Sequence, residues 1–238
     1  MNLKTSGAVV ALCLVGSILS TAVAGTIEGT VTYKGKPRPA KTISTDADPV
    51  CSMSHEAIKD EKFVVGEGTD GVYPMGNIFV YVKSGYAEHP YPAATGPLVI
   101  DQKGCTYVPH VSGARVGQEV EFKNSDPTMH NVHSLGKNSP AFNRGMPAGA
   151  PNAGYAFKAP EVMVKIKCDA HPWMSCYVGV LDHPFFAVTE TDGKFSIAGL
   201  DDGTYVVETW QELLGTLTGS VTVKDGSGTL DIQYTRDK

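Results

Sequence analysis

Short runs of alternating apolar and polar residues, each ended by turn residues, dominate the chain after its first 24 positions. Thr26 to Tyr33 alternates and stops at Gly35-Lys36-Pro37, and Val162 to Cys168 alternates in the same way. A period of two predicts half-buried β-strands, and the glycines and prolines that follow predict turns. Five more strand-sized pieces follow within about fifty residues after Pro184. The pattern predicts an all-β fold.

A stretch rich in turn residues predicts a boundary inside the chain. Between positions 84 and 97 the sequence collects two glycines and three prolines, a composition that suits a connector and not the interior of a sheet. New strand patterns begin after it, and the pattern changes again near Pro184. We therefore expect segments at 25–97, 98–183 and 184–238, the last of them typical of a small antiparallel sandwich.

The first 24 residues have the features of a secretory signal peptide. They hold one positive charge, at Lys4, an apolar stretch from Ala8 to Leu19, and a small-residue end at Ala22-Val23-Ala24. The apolar stretch is too short to span a bilayer comfortably, and no other segment has a long apolar run. The sequence predicts a periplasmic or secreted protein that keeps no membrane anchor after cleavage.

The charge balance argues against a nucleic-acid partner. The chain has 20 Lys and Arg against 25 Asp and Glu, a formal net charge of −5. Nucleic-acid binders usually present a basic face. The sequence also contains no Walker loop, dinucleotide fingerprint or Ser-His-Asp arrangement.

Four cysteines remain once the signal peptide is removed: Cys51, Cys105, Cys168 and Cys176. An even number in an exported protein is compatible with disulfides. Cys51 with His55, and Cys105 with His110, have spacings that also resemble zinc ligands. In an oxidising compartment we favour a disulfide between Cys51 and Cys105, which would tie the N-terminal part to the first strands of the next segment.

Two short stretches place histidine, cysteine and methionine close together: Met129-His130-Asn131-Val132-His133 and Cys168-Asp169-Ala170-His171-Pro172-Trp173-Met174. One thiolate, two imidazoles and one thioether form the ligand set of a blue-copper site. The turn after Cys168 can bring His171 and Met174 around one ion, and His130 can arrive from a neighbouring strand. The rival interpretation is a disulfide from Cys168 to Cys176, which would remove the thiolate; otherwise we expect Cys176 to be a small buried thiol.

These motifs resemble the cupredoxin family, and their short spacings are most similar to those of amicyanins. Val116 to Phe122 and Asn124 also carry this resemblance, which covers roughly residues 98–182. It implies an eight-stranded Greek-key β-sandwich. It implies one mononuclear type 1 copper ion, with these ligands: His130, Cys168, His171 and Met174. It selects His130 over His133, because the family's ligand precedes the Asn-Val pair. It also implies that the ring edge of His171 is exposed as the exit for the electron.

The flanking segments resemble a second family, the carboxypeptidase regulatory-like or transthyretin-like module. The resemblance rests on Gly29-Thr30-Val31, Gly35-Lys36-Pro37, Thr191 to Ile197 and Gly203-Thr204-Tyr205. It implies that the cupredoxin interrupts a second sandwich whose two parts are residues 25–97 and 184–238. The arrangement is similar to secreted bacterial proteins labelled plastocyanin-like or methylamine-utilisation-like.

A copper ion held by four side chains has no open position for a substrate, so its expected use is one-electron transfer between proteins that dock weakly and transiently. The other histidines are scattered singly, so we expect neither an oxygen- or nitrite-reducing enzyme nor another catalytic activity. The alternatives are copper capture and delivery, or a structural β-sandwich without a functional metal site. We expect a monomer.

Overall fold

The computed structural model describes residues 24–53 and 57–236. The predicted signal peptide lies outside the described residues except for Ala24, and so does His55 of the alternative zinc site. In the described ranges, no helix is long and apolar enough to cross a membrane.

Strands make up almost all of the regular structure in the described part of the chain. In chain order the elements are β1 (Gly25–Lys34), α1 (Pro49–Met53), β2 (Val64–Val65), β3 (Val72–Gly76), β4 (Phe79–Ser84), β5 (Leu98–Lys103), β6 (Thr106–Val108), β7 (Val111–Arg115), β8 (Glu119–Asn124), β9 (His130–Ser134), β10 (Phe142–Met146), β11 (Ala153–Ala156), β12 (Glu161–Lys167), β13 (Ser175–Leu181), β14 (Phe186–Val188), β15 (Lys194–Leu200), β16 (Gly203–Gln211), β17 (Gly215–Val223), β18 (Ser227–Thr229) and β19 (Ile232–Thr235). The prediction of an all-β fold is confirmed.

Strands from the two ends of the chain share sheets. One sheet has the order β15-β1-β3-β2, with β18 and β19 also paired to β1, and another has the order β14-β4-β16-β17. The strand β1 runs antiparallel to β15, with Ile27 opposite Ile197. Alternate residues of β1 enter a core shared by the two sheets, where Ile27 and Val31 belong to one buried cluster with Val80 and Val207. Hydrophobic burial thus holds the first and last strands together.

The middle of the chain forms a second sandwich. Its sheets have the orders β10-β9-β12-β13-β7 and β11-β8-β5-β6. The chain passes between the two sheets several times, in a Greek-key arrangement. Apolar residues from both inner faces meet between the sheets, among them Val120 and Phe122 of β8 and Val132 of β9. The start of β9 and the end of β12 lie at the same end of this sandwich, because the two strands pair antiparallel.

The strand β12 departs from the predicted alternation at its start. The sequence places Val162 on the same buried face as Val164 and Ile166, but the structure leaves Val162 39% exposed. The pairing with β13 shifts register between Glu161 and Val164, and Met163 has a left-handed φ of 61°. This bulge inserts one extra residue and so reverses the facing of the positions before it.

An apolar cluster joins the two sandwiches. Phe79 of β4 is fully buried in one cluster with Val111 and Leu181 from the middle of the chain. A Cβ added to Gly179 of β13 would lie 2.3 Å from the Phe79 ring. Only glycine permits so close an approach, so Gly179 and Phe79 together determine how β4 and β13 pack.

His183 is buried in an aromatic cluster with Tyr86 and Phe185. Its ring lies with centroids 4.3 Å from Tyr86 and 5.6 Å from Phe185, and it is 2% exposed. Its Nδ1 accepts the backbone N–H of Phe185 at 3.2 Å. Burial lowers the pKa of His183 to about 4. The negative charge of Asp182 raises this pKa, and the positive charge of Arg115 lowers it further.

We expect His183 to destabilise the protein at mildly acidic pH. The unfolded chain binds a proton near the ordinary pKa of 6.5, whereas the native ring stays neutral down to about 4. The free energy of unfolding should therefore fall by about 3 kcal/mol as the pH drops through that interval. Denaturant unfolding between pH 7 and pH 4 measures this loss. His183→Asn keeps an acceptor for the N–H of Phe185 but has no proton to gain, and an equal loss in that variant would contradict the assignment.

Candidate metal centre

The loop after β12 folds back so that its end, at Met174, is hydrogen-bonded to its start, at Cys168. Met174 donates its backbone N–H to the carbonyl of His171 at 2.9 Å, and Cys168 donates its own to the carbonyl of Met174 at 3.2 Å. The side-chain oxygen of Asn131 in β9 accepts the backbone N–H of Asp169 at 2.6 Å. Asn131 therefore ties the loop to the strand that begins with His130, a role that the sequence analysis did not assign.

Three of the predicted ligands converge on one buried point. Nδ1 of His130 and Nδ1 of His171 lie 2.8 Å apart, and Sγ of Cys168 lies 3.7 Å from Nδ1 of His171. All three ligand atoms lie within 4.8 Å of one another. Met174 is buried in the same apolar cluster as Cys168. The arrangement places two imidazoles and a thiol together at the end of one sandwich, with the predicted ligand Met174 in the same core.

The outward nitrogens of both imidazoles are already engaged by carboxylates. Nε2 of His130 donates to Asp126 at 2.9 Å, and Nε2 of His171 donates to Asp48 at 2.9 Å. With a proton on each Nε2, the two Nδ1 atoms are directed at each other. Two imidazole nitrogens 2.8 Å apart require a proton or a cation between them. With the Cys168 sulfur beside them, these donors fit a soft metal such as copper.

Asp126, in the loop between β8 and β9, holds His130 and is itself held by the turn between β5 and β6. Its carboxylate accepts the backbone N–H of Gly104 at 2.7 Å and of Cys105 at 2.8 Å. Burial opposes ionisation, but hydrogen bonding from His130 and these amides lowers the pKa of Asp126. Burial also opposes the charged imidazolium, but the hydrogen bonds of His130 to Asp126 and Cys168 raise the pKa of His130 to about 9.

The surroundings of the Cys168 thiol favour its ionisation although the thiol is buried. Burial opposes the thiolate, but hydrogen bonding with His130 and with the backbone amides of Asn131 and His171 lowers the pKa of Cys168 to about 7. The amide of Asn131 lies 3.4 Å from the sulfur. Since the thiolate is the form that binds a metal, this environment favours coordination at neutral pH.

The other cysteines take the states that the sequence favoured. Cys51 and Cys105 form a disulfide with their Cα atoms 5.8 Å apart, and Cys176 is a free, buried thiol. Burial raises the pKa of Cys176. The rival bridge from Cys168 to Cys176 is not formed, and the zinc interpretation of Cys51 and Cys105 is wrong, because their sulfurs are bonded to each other. A cross-link 54 residues apart stabilises the fold by about 4 kcal/mol in the chain-entropy model.

His133 lies on the other face of β9 from His130. Its Nδ1 lies 2.9 Å from the carboxylate of Asp169, and its side chain is partly exposed. Side chains three positions apart on a strand point to opposite faces. The structure therefore brings His130, and not His133, beside Cys168 and His171.

The ring of His171 is covered, contrary to the exposed edge that the resemblance implied. It is only 4% exposed, because Asp48 accepts the N–H of its outer nitrogen and Trp173 lies with its ring centroid 4.9 Å away. Asp48 immediately precedes α1, which the disulfide ties to Cys105. Sequence analysis missed Asp48; the only local signal was an aspartate before a proline, three positions before a cysteine.

No protein-family model and no curated protein matches the chain. The solved structures to which it is similar include cupredoxins and a copper enzyme. The purple cupredoxin from Nitrosopumilus maritimus is 23% identical over 36% of this chain and 99% of its own, with a TM-score of 0.30. The Cu(I) form of a mutant amicyanin is 22% identical over 42% of this chain and 97% of its own, with a TM-score of 0.33.

The copper-containing nitrite reductase from Thermus scotoductus SA-01 is 22% identical, with a TM-score of 0.32 over 38% of this chain. The match spans only 25% of that enzyme. Likeness at these scores does not establish a function, so the case for a metal centre rests on the residues themselves.

Proposed function

We propose that this cluster is a mononuclear type 1 copper centre and that the protein transfers single electrons between partner proteins. The proposed ligands are His130, Cys168, His171 and Met174. The observation that supports the proposal is the convergence of two Nδ1 nitrogens and one low-pKa thiol on a single buried point. Copper, when bound, would supply a one-electron couple.

The protein residues would hold the donors in place before any metal arrives. Asp126 orients His130, and Asn131 orients the loop that begins at Cys168. A site whose donor geometry is held by such contacts needs little rearrangement when its charge changes, which favours rapid electron transfer. His130, Cys168, His171 and Met174 are all buried, so water is excluded from the centre. Four side-chain donors leave no position for a substrate, which favours electron transfer over catalysis.

The setting proposed for this activity is the periplasm or the cell exterior. It depends on the predicted signal peptide. We propose that residues 98–183 form the copper domain, and that residues 25–97 and 184–238 form a regulatory-like sandwich that supports it. The apolar cluster of Phe79 with Val111 and Leu181 would hold the two together. Redox partners would dock transiently on a monomer.

Copper titration tests the proposal. The mature protein should develop an intense blue absorption band as Cu(II) is added without reductant, with saturation at one copper per chain. The band should disappear on reduction and return on oxidation. Zn(II) is the matched control, because it should occupy the same donors without colour. A protein that stays colourless would refute the blue-copper assignment. Colour without reversible oxidation, with transfer of Cu(I) to an acceptor protein, would favour capture and delivery.

A further inference from the structure

The segment from Thr45 to Met53 covers the candidate metal centre, and we name it the strap. It contains α1, and Cys51 within it is bonded to Cys105 in the turn between β5 and β6. The amides of that turn hold Asp126, which holds His130. The disulfide therefore connects the strap to the turn that holds Asp126 and, through it, His130. The strap itself contacts His171.

Asp48 is the residue of the strap that reaches the centre. Its Oδ2 accepts the Nε2–H of His171 at 2.9 Å and the hydroxyl of Thr128 at 3.0 Å. Its Oδ1 accepts the backbone N–H of Val50 at 2.7 Å and of Cys51 at 3.2 Å, at the start of α1. The two oxygens of Asp48 therefore make separate sets of hydrogen bonds. One substitution can remove the bond from Oδ2 to His171 while keeping the bonds from Oδ1 to the start of α1.

The hydrogen bond between Asp48 and His171 also decides the state of the imidazole. A carboxylate acceptor at Nε2 places the proton there and leaves Nδ1 as the acceptor nitrogen of the ring. That nitrogen is the one that lies 3.7 Å from the Cys168 sulfur. Since Asp48 is itself anchored by Thr128, two residues before His130, the ring cannot rotate away without breaking contacts on both sides.

We propose that Asp48 is a positioning residue for the metal centre. It holds the ring of His171 with Nδ1 directed at the site, and it makes that nitrogen a stronger donor. This inference rests on the proposed copper function. It assigns the strap a direct part in metal binding, although the strap lies outside the segment in which all the proposed ligands are found.

Asp48→Asn is the sharpest test. Asparagine is as good a cap as aspartate, so its oxygen can keep the start of α1, but its amide group presents a donor to the Nε2–H of His171. The Cu(II) affinity should fall roughly 10–100-fold, the range found when such supporting carboxylates are removed. The reduction potential should rise, because losing a negative charge destabilises Cu(II) more than Cu(I).

Asp46→Asn is the matched control. Asp46 is an exposed carboxylate of the same strap, and its Oδ2 accepts the hydroxyl of Ser44 at 2.8 Å. This variant removes the same formal charge from an exposed carboxylate that bonds to Ser44 and not to His171, so its affinity and potential should stay near those of the unaltered protein. Equal changes in both variants would mean that the charge acts through space, and would overturn the positioning role.

A readout on the metal-free protein separates this inference from the proposed function. Nitrogen NMR should show a protonated Nε2 on His171 in the unaltered protein, and loss of that tautomer preference in Asp48→Asn. Asp48→Ser, which also keeps a capping oxygen, provides a second variant if the first folds poorly. If the unaltered protein binds no copper, the proposed function fails. If it binds copper and neither Asp48 variant alters affinity, potential or tautomer, the positioning role fails.

Discussion

Replacing Cys168 with alanine is expected to abolish the blue absorption band and most of the copper affinity. The intense colour of such a site is a charge transfer from the thiolate to Cu(II), so no other side chain can produce it. Among the described residues, Cys168 is the free thiol whose pKa the surroundings lower, to about 7, and its sulfur lies beside both imidazoles. A visible spectrum taken during copper titration of the variant measures the loss.

Cys176→Ala is the matched control for the thiol. Cys176 is also a free and fully buried cysteine, but burial raises its pKa, which disfavours the metal-binding thiolate. Its removal should leave the colour and the stoichiometry unchanged. A blue band that survives in Cys168→Ala, or disappears in Cys176→Ala, would refute the choice of ligand.

Replacing His130 with alanine is expected to have an effect of similar size. The substitution removes one of the two facing Nδ1 donors, and it takes the imidazole partner away from the buried carboxylate of Asp126. Removing one partner of a buried charged pair is strongly unfavourable. We expect loss of the blue band together with lower thermal stability of the metal-free protein, measured by absorption and by calorimetry.

His133→Ala distinguishes the two histidines of the motif. Its imidazole bonds to Asp169 on the partly exposed face of β9, so its removal should leave the band almost unchanged. If His133→Ala lost copper while His130→Ala retained it, the assignment would be reversed. Because the two substituted histidines lie on opposite faces of the same strand, the comparison tests directly on which face the site lies.

The strap would change how a partner reaches the proposed copper centre. With His171 covered by Asp48 and Trp173, the proposed carrier has no exposed imidazole edge of the kind that the family resemblance implied as the exit for the electron. The indole N–H of Trp173 donates to the carbonyl of Cys105 at 3.1 Å, which anchors this cover to the disulfide. Any partner of the proposed carrier therefore meets the strap or Trp173 before it meets the ligand.

Features that depend on neighbouring residues could be predicted from the sequence. Period-two alternation predicted the β-strands, because side chains of a strand must alternate between core and solvent. The spacing from Cys168 to Met174 predicted the turn that brings Cys168 and His171 together, and Met174 as a ligand stays a prediction. The disulfide of Cys51 with Cys105 was favoured on the cysteine count and the compartment. The division into an inserted and an interrupted sandwich stays a prediction.

Features that depend on contacts between distant segments were decided only by the tertiary structure. Val162 is exposed because the pairing of β12 with β13 requires a bulge at Met163, which no local pattern marks. Asp48 reaches His171 across 123 positions of sequence because the disulfide and α1 place the strap there. The sequence by itself determined the two motifs that carry the donors, around His130 and from Cys168 to Met174. The packing of separate segments decided which nitrogen each imidazole presents and what covers it, because an imidazole's orientation is set by the partner of its other nitrogen.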